Sequence, residues 1–509
     1  MATGFTNAQQ MIQTVMLVTV TDASSSGYQQ GRTVTATNGT DTQTGTTDAS
    51  GSVRLLLKGV GDYTVTADVP SGSGGTIAAQ TVSVELGGVY SVALVLSFGW
   101  GKFGMSFNAT TFKTDPTGCL AYTDDCAGYT PVSGPGSSLA KCSTIGDWEM
   151  KSDGTSDNPL LAECFYATFT SGGVLHEKLN PQNLTQKIAT WNNTSKQWES
   201  ASGSSSITSE NTMFCIPKCY VGSTASKIVL SGSESDGTAF AHTIGGHTYD
   251  YLAIGVYEGY DDGTKLWSKS GVASSASITR PTFRSHAQAQ TVQDGHAMVW
   301  NFFQWNLWRI MTIFAMKSFN GQSQIGQGGF TYNGGGSQGL CNSMGPFAGD
   351  TSTSPSTSKS VKAFVENPWG YKYEFIDDVV IDHTGSTSHK VWAGQNVSPT
   401  DTPATSGSTP SDKILIATLT CPADSWVYGG TIATDAVAWG LATDNSGSTT
   451  TGLCDGQYHS SSGVTLGGVG GSSGNVSGGN AGPSCLRANG ALDDSAAGYG
   501  ARLAFVFDM

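Results

Sequence analysis

Few residues of this 509-residue chain have the type and spacing for chemistry. His242 and His247 stand five apart across Gly245-Gly246, which is either half a metal site or a turn carrying exposed histidines. Cys119 and Cys126 lie close together, as do Cys215 and Cys219, but neither spacing is a zinc knuckle and no second ligand pair follows. Asp261-Asp262-Gly263 and Asp377-Asp378 are acidic pairs without the D-x-D-x-D-G spacing that would gather the oxygens of a Ca²⁺ site. Asp261-Asp262-Gly263 reads as a turn, and Asp377, Asp378 and Asp382 read as strand-end residues. No nucleophile elbow, P-loop or H-E-x-x-H is read. The glycines of 467–482 have no neighbouring lysine with which to cradle a phosphate. No catalytic residue, metal set or cofactor is therefore assigned.

The elements that must position any site are mostly strands. Charged residues are only 13% of the chain and glycine supplies 67 positions, the profile of short strands joined by many turns. Twelve tryptophans and 10% aromatics give ample mass for real cores, unlike a disordered chain. Lys+Arg 25 against Asp+Glu 39 leaves a net charge of −14 and no basic cluster, which argues against nucleic acid as partner. Residues 1–21 show no basic region followed by an apolar run, so no export signal is read. Met298 to Met316 carries Asn301, Gln304, Asn306 and Arg309, too costly for a lipid-spanning helix, so a soluble chain without membrane insertion is expected. The ten cysteines are read as reduced and buried.

Residues 1–14 read as an N-terminal arm. Period-two alternation then runs through Val15 to Thr21, Thr33 to Ala36, Val53 to Leu57, Tyr63 to Ala67 and Val89 to Leu96, with turn clusters between. This predicts an Ig-like or prealbumin-like β-sandwich over 15–98, serving attachment or spacing. Residues 99–230 read as a β-rich intermediate region. Within it Leu161 to Thr170 and Val174 to Leu179 form a hairpin, and Met213 to Tyr220 is a strand whose Pro217 favours an edge or bulge. Tyr249 to Tyr257 and Tyr371 to Ile381 read as strands, and Ala287 to Phe319 as the one long helix. Ser352 to Ser358 and Ser398 to Ser411 are loop-like inserts, and 414–509 alternates short strands with glycine-rich loops.

Six motifs in order carry a resemblance. They are Leu120-Ala121-Tyr122-Thr123-Asp124-Asp125-Cys126-Ala127-Gly128-Tyr129-Thr130-Pro131, Leu179-Asn180-Pro181-Gln182-Asn183, Met213 to Tyr220, Gln322-Ser323-Gln324-Ile325-Gly326-Gln327-Gly328, Glu366-Asn367-Pro368-Trp369-Gly370-Tyr371-Lys372-Tyr373-Glu374-Phe375, and Gly500-Ala501-Arg502-Leu503. Together they resemble phage and prophage tail receptor-binding proteins that end in a C-type lectin domain of the formylglycine-generating-enzyme type. Such domains also occur in variable proteins of diversity-generating retroelements. The sequence departs from that pattern at Tyr371, Lys372 and Cys219, and it lacks the paired cysteines of the catalytic branch.

The resemblance implies a mainly β, α+β chain whose residues 231–509 form a C-type lectin-like domain with a variable C-terminus over about 414–509. It implies a virion-exterior adhesin, a tail-fibre tip or a surface decoration, made in the host cytoplasm. Such a protein binds a bacterial surface receptor, protein or glycan, without chemistry. Homotrimers are usual, and the N-terminal domain would meet other virion proteins. The expected ligand-binding positions are Tyr458, His459, Ser472, Ser473, Asn475, Asn480, Arg487, Asn489, Asp493, Asp494 and Tyr499, whose mixture of adaptable polar groups and rigid aromatics suits a recognition surface. Arg502, Trp369, Trp426 and Trp439 are assigned to the core. The alternatives are a purely structural capsid-decoration or tail protein and a polysaccharide depolymerase, which would need paired carboxylates in a groove.

Overall fold

The computed structural model describes residues 13–22, 29–68, 76–77, 79–97, 100–329, 337–352, 356, 358–399, 407–471, 481–491 and 494–509. The chain is mainly β with a few helices, and it divides into two compact units, Met1–Trp100 and Gly101–Met509.

The first unit is a sandwich of two four-stranded sheets. One runs Ser52–Leu57, Thr14–Asp22, Val89–Ser97, Thr76–Ile77, and the other Thr42–Thr46, Thr33–Thr37, Gly61–Ala67, Gln80–Val84. Alternation places Met16, Val18, Val20, Val34, Ala36, Val65 and Leu94 inside, all without solvent exposure. Tyr63 is the one large polar side chain in this core, and its hydroxyl donates to the Asp41 carboxylate. Of the expected N-terminal arm, all but the last two residues lie outside the described residues.

The second unit crosses the expected boundary at 230/231. Its eight-stranded antiparallel sheet runs Gln197–Ser204, Asn183–Asn192, Leu175–Asn180, Phe165–Phe169, Asn211–Pro217, Tyr251–Gly255, Leu503–Phe507, Gly295–Val299. Asn211–Pro217 is bonded on both sides, to Phe165–Phe169 and to Tyr251–Gly255. The intermediate region and the C-terminal part therefore share one core. Pro217 is the last paired residue of an interior strand, where its missing N–H costs little, rather than an edge.

The expected long helix is broken. Arg280–Gln288 is a helix, Gly295–Val299 a strand, and Phe302–Met316 a second helix. Asn301 and Gln304 form a reciprocal capping box that starts the second helix at Phe302. All fifteen of its residues are buried, which erases the amphipathic stripe that would have marked its limits. The C-terminal segment wraps it: Asn306 Nδ2 donates to Val437 O at 3.2 Å, and Arg309 donates to Trp439 O.

A nine-stranded sheet is the largest of the unit, which among its described residues also holds two four-stranded and two two-stranded sheets. Its main path runs Ile414–Leu419, Ser388–Ala393, Val379–Gly385, Gly463–Val469, Leu486–Gly490, Gln457–His459, Trp426–Val427. Tyr373–Phe375 pairs with Gly463–Val469 and, in parallel, with Tyr499–Ala501. Arg502 sits where the chain passes from this sheet to the eight-stranded one. It is fully buried, with Nε 2.8 Å from Glu374 Oε2, Nη1 donating to Gly255 O at 2.8 Å and Nη2 to Glu366 O at 2.9 Å. All ten cysteines are buried free thiols. Among the described residues no helix is long and apolar enough to cross a membrane.

Candidate binding face

Register decides which side chains of the nine-stranded sheet share a face. Trp426 lies opposite Tyr458, Tyr458 opposite Arg487, Arg487 opposite Gly468, and Gly468 opposite Phe375. Residues two apart on each strand join them, so Tyr373, Asn489 and Tyr499 stand on the same side. Gly468 is required there for space. A Cβ at that position would meet the Tyr499 ring at 2.8 Å and Tyr373 Cβ at 3.2 Å. Its bare backbone lets the two tyrosines lie against the sheet.

The face grades from core to rim. Phe375 is buried beneath Phe283 of the Arg280–Gln288 helix and stacks on Tyr499 with centroids 4.8 Å apart. The Arg487 guanidinium lies over the rings of Tyr373 and Tyr499, at 5.1 and 5.4 Å. Its Nε donates to Asn489 Oδ1 at 2.8 Å. Tyr458 and Trp426 pack edge to face with centroids 5.6 Å apart, and both are half-buried, as are Arg487 and Asn489. Asp494 is half-buried nearby, and its carboxylate caps its own turn by accepting the Ala496 N–H at 3.0 Å. A Cβ on Gly490 would have Tyr499 Oη 3.5 Å and Asp494 Oδ2 3.6 Å away, so these two groups converge on one spot.

The structure thus gathers Tyr458, Arg487, Asn489, Asp494 and Tyr499 at one place. Four of them are on strands rather than loops. Tyr499 is only 2% exposed and acts as the floor under Arg487. His459 is a correction: it follows Tyr458 on the same strand, so the pleat turns it to the opposite face, where it has no exposure. Ser472, Ser473, Asn475, Asn480 and Asp493 lie outside the described residues. Trp426, expected in the core, belongs instead to the face. Trp369 and Trp439 are buried as expected. Tyr373 also belongs to the face; its place opposite Tyr499 depends on a parallel pairing that no local pattern reveals.

Other chemical candidates resolve into structure. His242 is buried, with Nε2 3.3 Å from Ile216 O, and burial pushes its pKa down to about 4. Only His247 of that pair is exposed. Asp262 closes a turn by accepting the N–H groups of Thr264 and Lys265. Asp377 is held by Arg284 (Nε–Oδ2 2.8 Å), Asp378 by Lys413 at 2.7 Å, and Asp382 accepts the Gly407 N–H at 2.8 Å. These three carboxylates are engaged within the fold, two of them as ion pairs.

Beneath the face lies a group that sequence reading missed. The strands Val379–Gly385 and Ser388–Ala393 form a hairpin that sets His383 directly opposite His389. The sheet curls so that His459, from a strand not adjacent to either, stacks on His389 with centroids 4.5 Å apart. A histidine on each side of a Gly-Ser turn was the only local sign; the third partner, some seventy residues on, is brought in by the curl. Burial, and then the neighbouring imidazole of His389, holds His383 down to about 4. Burial and the other two rings hold His459 well below its usual range.

No family model matches the chain, and a comparison with curated proteins finds no match. Among solved structures, the Bacillus anthracis TIE protein is similar at 11% identity over 42% of this chain and 31% of its own, with a TM-score of 0.17. A likeness at that level carries no argument about fold or activity.

Proposed function

We propose that this chain is a virion-exterior adhesin that binds a bacterial surface receptor through the face built by Trp426, Tyr458, Arg487, Asn489 and the residues around them. One observation carries the reading. Residues expected from sequence as contacts, from Tyr458 to Tyr499, converge on one side of one sheet with their backbones held in ladders. Half-buried tyrosine, tryptophan and arginine are the residue types that supply most of the energy at recognition surfaces, and Asn adds adaptable hydrogen bonding. A rigid sheet whose underside is fully packed lets outward residues change without loss of fold. That property supports the further expectations of a diversified C-terminus and a tail or capsid-surface position. The sandwich would attach to other virion proteins, and trimers would add avidity.

The test is binding of the purified full chain to a panel of bacterial cells. Truncating the C-terminus is unsuitable, because Leu503–Phe507 is an interior strand of the eight-stranded sheet. Point variants replace it. Tyr458→Ala with Arg487→Ala is expected to weaken cell binding at least about 30-fold, the effect of losing one hot spot or more. Near-UV circular dichroism should stay unchanged. Undiminished binding by the variant would remove this face from consideration. If the wild-type chain binds no cell in the panel, the structural-decoration reading replaces the adhesin one.

A further inference from the structure

The three histidines beneath the face pose a problem of proton counting. His383, His389 and His459 are 2%, 0% and 0% exposed, and one ring nitrogen of each lies within 4.8 Å of the others. His389 Nε2 is 2.9 Å from the carbonyl oxygen of Cys421, which can only accept, so this nitrogen carries a proton. His383 Nε2 is 2.8 Å from Thr465 Oγ1. That hydroxyl is also 3.0 Å from Ala488 O; with its one proton given to that carbonyl it accepts from His383, whose Nε2 is then protonated too. A neutral imidazole has one proton. The two Nδ1 atoms therefore present lone pairs, and they face each other at 2.7 Å. Two lone pairs at that distance repel unless a cation lies with them. Neither ring nitrogen of His459 has a hydrogen-bond partner among the described residues. Ring N–H groups tied outward to a carbonyl and a hydroxyl, with lone pairs turned inward, is the arrangement of metal-bound histidines.

We propose that His383, His389 and His459 bind one borderline divalent transition-metal ion, with zinc the best chemical fit, through the two facing Nδ1 atoms and a ring nitrogen of His459. Neutral imidazoles favour zinc, copper or nickel over calcium or magnesium, which take oxygen ligands. The His459 ring is stacked within 12° of parallel to His389, so it must tilt for its in-plane lone pair to meet the ion held by the other two. Two bonds of about 2.0–2.1 Å at tetrahedral angles would open the Nδ1 pair to roughly 3.3 Å. The competing occupant is a proton bridging the two Nδ1 atoms. The strap at Cys421 to Asp424 already joins the same parts: Ala423 N–H donates to Ser386 O at 2.9 Å, and Asp424 N–H to His459 O at 2.8 Å. An ion there would brace the strand whose other side displays Tyr458. The site stands whether or not the adhesin reading does.

The experiment strips the full chain with a chelator and titrates it with zinc chloride. Calorimetry and elemental mass spectrometry should find one zinc per chain, with a Tm that rises with free zinc. Cobalt substitution should give tetrahedral d–d bands without thiolate charge-transfer bands, which separates the imidazoles from the ten thiols. His383→Gln with His389→Gln should abolish stoichiometric uptake. His176→Gln, which breaks the group His176, Glu177 and Glu210, should leave it intact, as should His247→Gln. Thr465→Val should weaken uptake about 10–100-fold, as loss of an outer-shell partner does. No zinc uptake by the wild-type chain, a thiolate spectrum, or full uptake by the double variant would each overturn the proposal. So would an imidazolium signal by NMR without metal uptake, the mark of a bridging proton. Should the double variant fail to fold, wild-type stoichiometry and the cobalt spectrum still decide.

Discussion

The two units are built from the same secondary structure and held by different forces. In the sandwich, Val, Leu, Ala and Met meet between two sheets, and among its described residues no ion pair forms and no Asp, Glu, Lys or Arg is buried. The larger unit buries Arg280, Arg309, Lys362, Lys413 and Arg502 together with Glu374, Glu366, Asp377, Asp378 and Asp455. Two apolar sheet faces need only alternation to find each other. Sheets joined at a corner, with a wholly buried helix and long irregular segments, leave carbonyls and carboxylates inside that must be answered by cations. Burying charge is a weak route to stability but one that tolerates little rearrangement.

That contrast is most directly broken at Arg502. Arg502→Met leaves Glu374 buried without its partner and is expected to cost about 3–5 kcal/mol. Urea denaturation followed by tryptophan fluorescence reads it, since every tryptophan except Trp100 lies in the larger unit. Arg502→Met with Glu374→Gln should recover part of the loss. A single-variant cost below about 1 kcal/mol would mean that the corner is not held by charge.

A second test uses pH. Burial pushes the Asp455 carboxyl up to about 8, although the Ser484 N–H and the Arg309 charge oppose the rise. The folded chain keeps this proton where the unfolded chain has lost it, so stability falls as pH rises from about 4 towards 8. Asp455→Asn abolishes that loss. Its Tm should match wild type near pH 4 and exceed it increasingly up to pH 8 or so. A difference that does not change with pH would sink the assignment. Among its described residues the sandwich holds no buried carboxylate, and its amide hydrogen-exchange protection should be flat over the same window after correction for intrinsic rates.

The smallest effect belongs to the sandwich. Tyr63→Phe removes the hydroxyl bonded to Asp41, while the Lys58 N–H still satisfies that carboxylate at 2.8 Å. The expected cost is about 1 kcal/mol, seen as faster exchange of amides in Thr33–Thr37 and Gly61–Ala67. A cost of 3 kcal/mol or so would make the phenol an anchor comparable to a buried ion pair.

The same contrast explains what could be read in advance. The strands Tyr63 to Ala67 and Val89 to Leu96 show themselves by period two, because one face meets oil and the other water. The hairpin around Gly172-Gly173 shows itself by its turn. The helix Phe302–Met316 was legible as a helix but not in its limits, because Met298 and Val299, which end a strand, and Trp300, which links that strand to the Asn301 cap, continue its apolar run. At the candidate face, Tyr458, Arg487 and Asn489 were legible as types suited to recognition. Their adjacency, and the company of Trp426 and Tyr373, depended on strand pairings between distant segments. His459 looked like its neighbour Tyr458 until the pleat separated them.

The pleat at those two positions has a consequence for inheritance. Along Gln457–His459 and Leu486–Gly490, outward and inward residues alternate, so tolerance to substitution must alternate codon by codon. A change at Tyr458, Arg487 or Asn489 rewrites what the surface offers. A change at His459, Leu486 or Ala488, one codon away, strikes the packed interior. Any process that diversifies this stretch, whether slow drift or targeted mutagenesis, can prosper only if its template spares every second triplet.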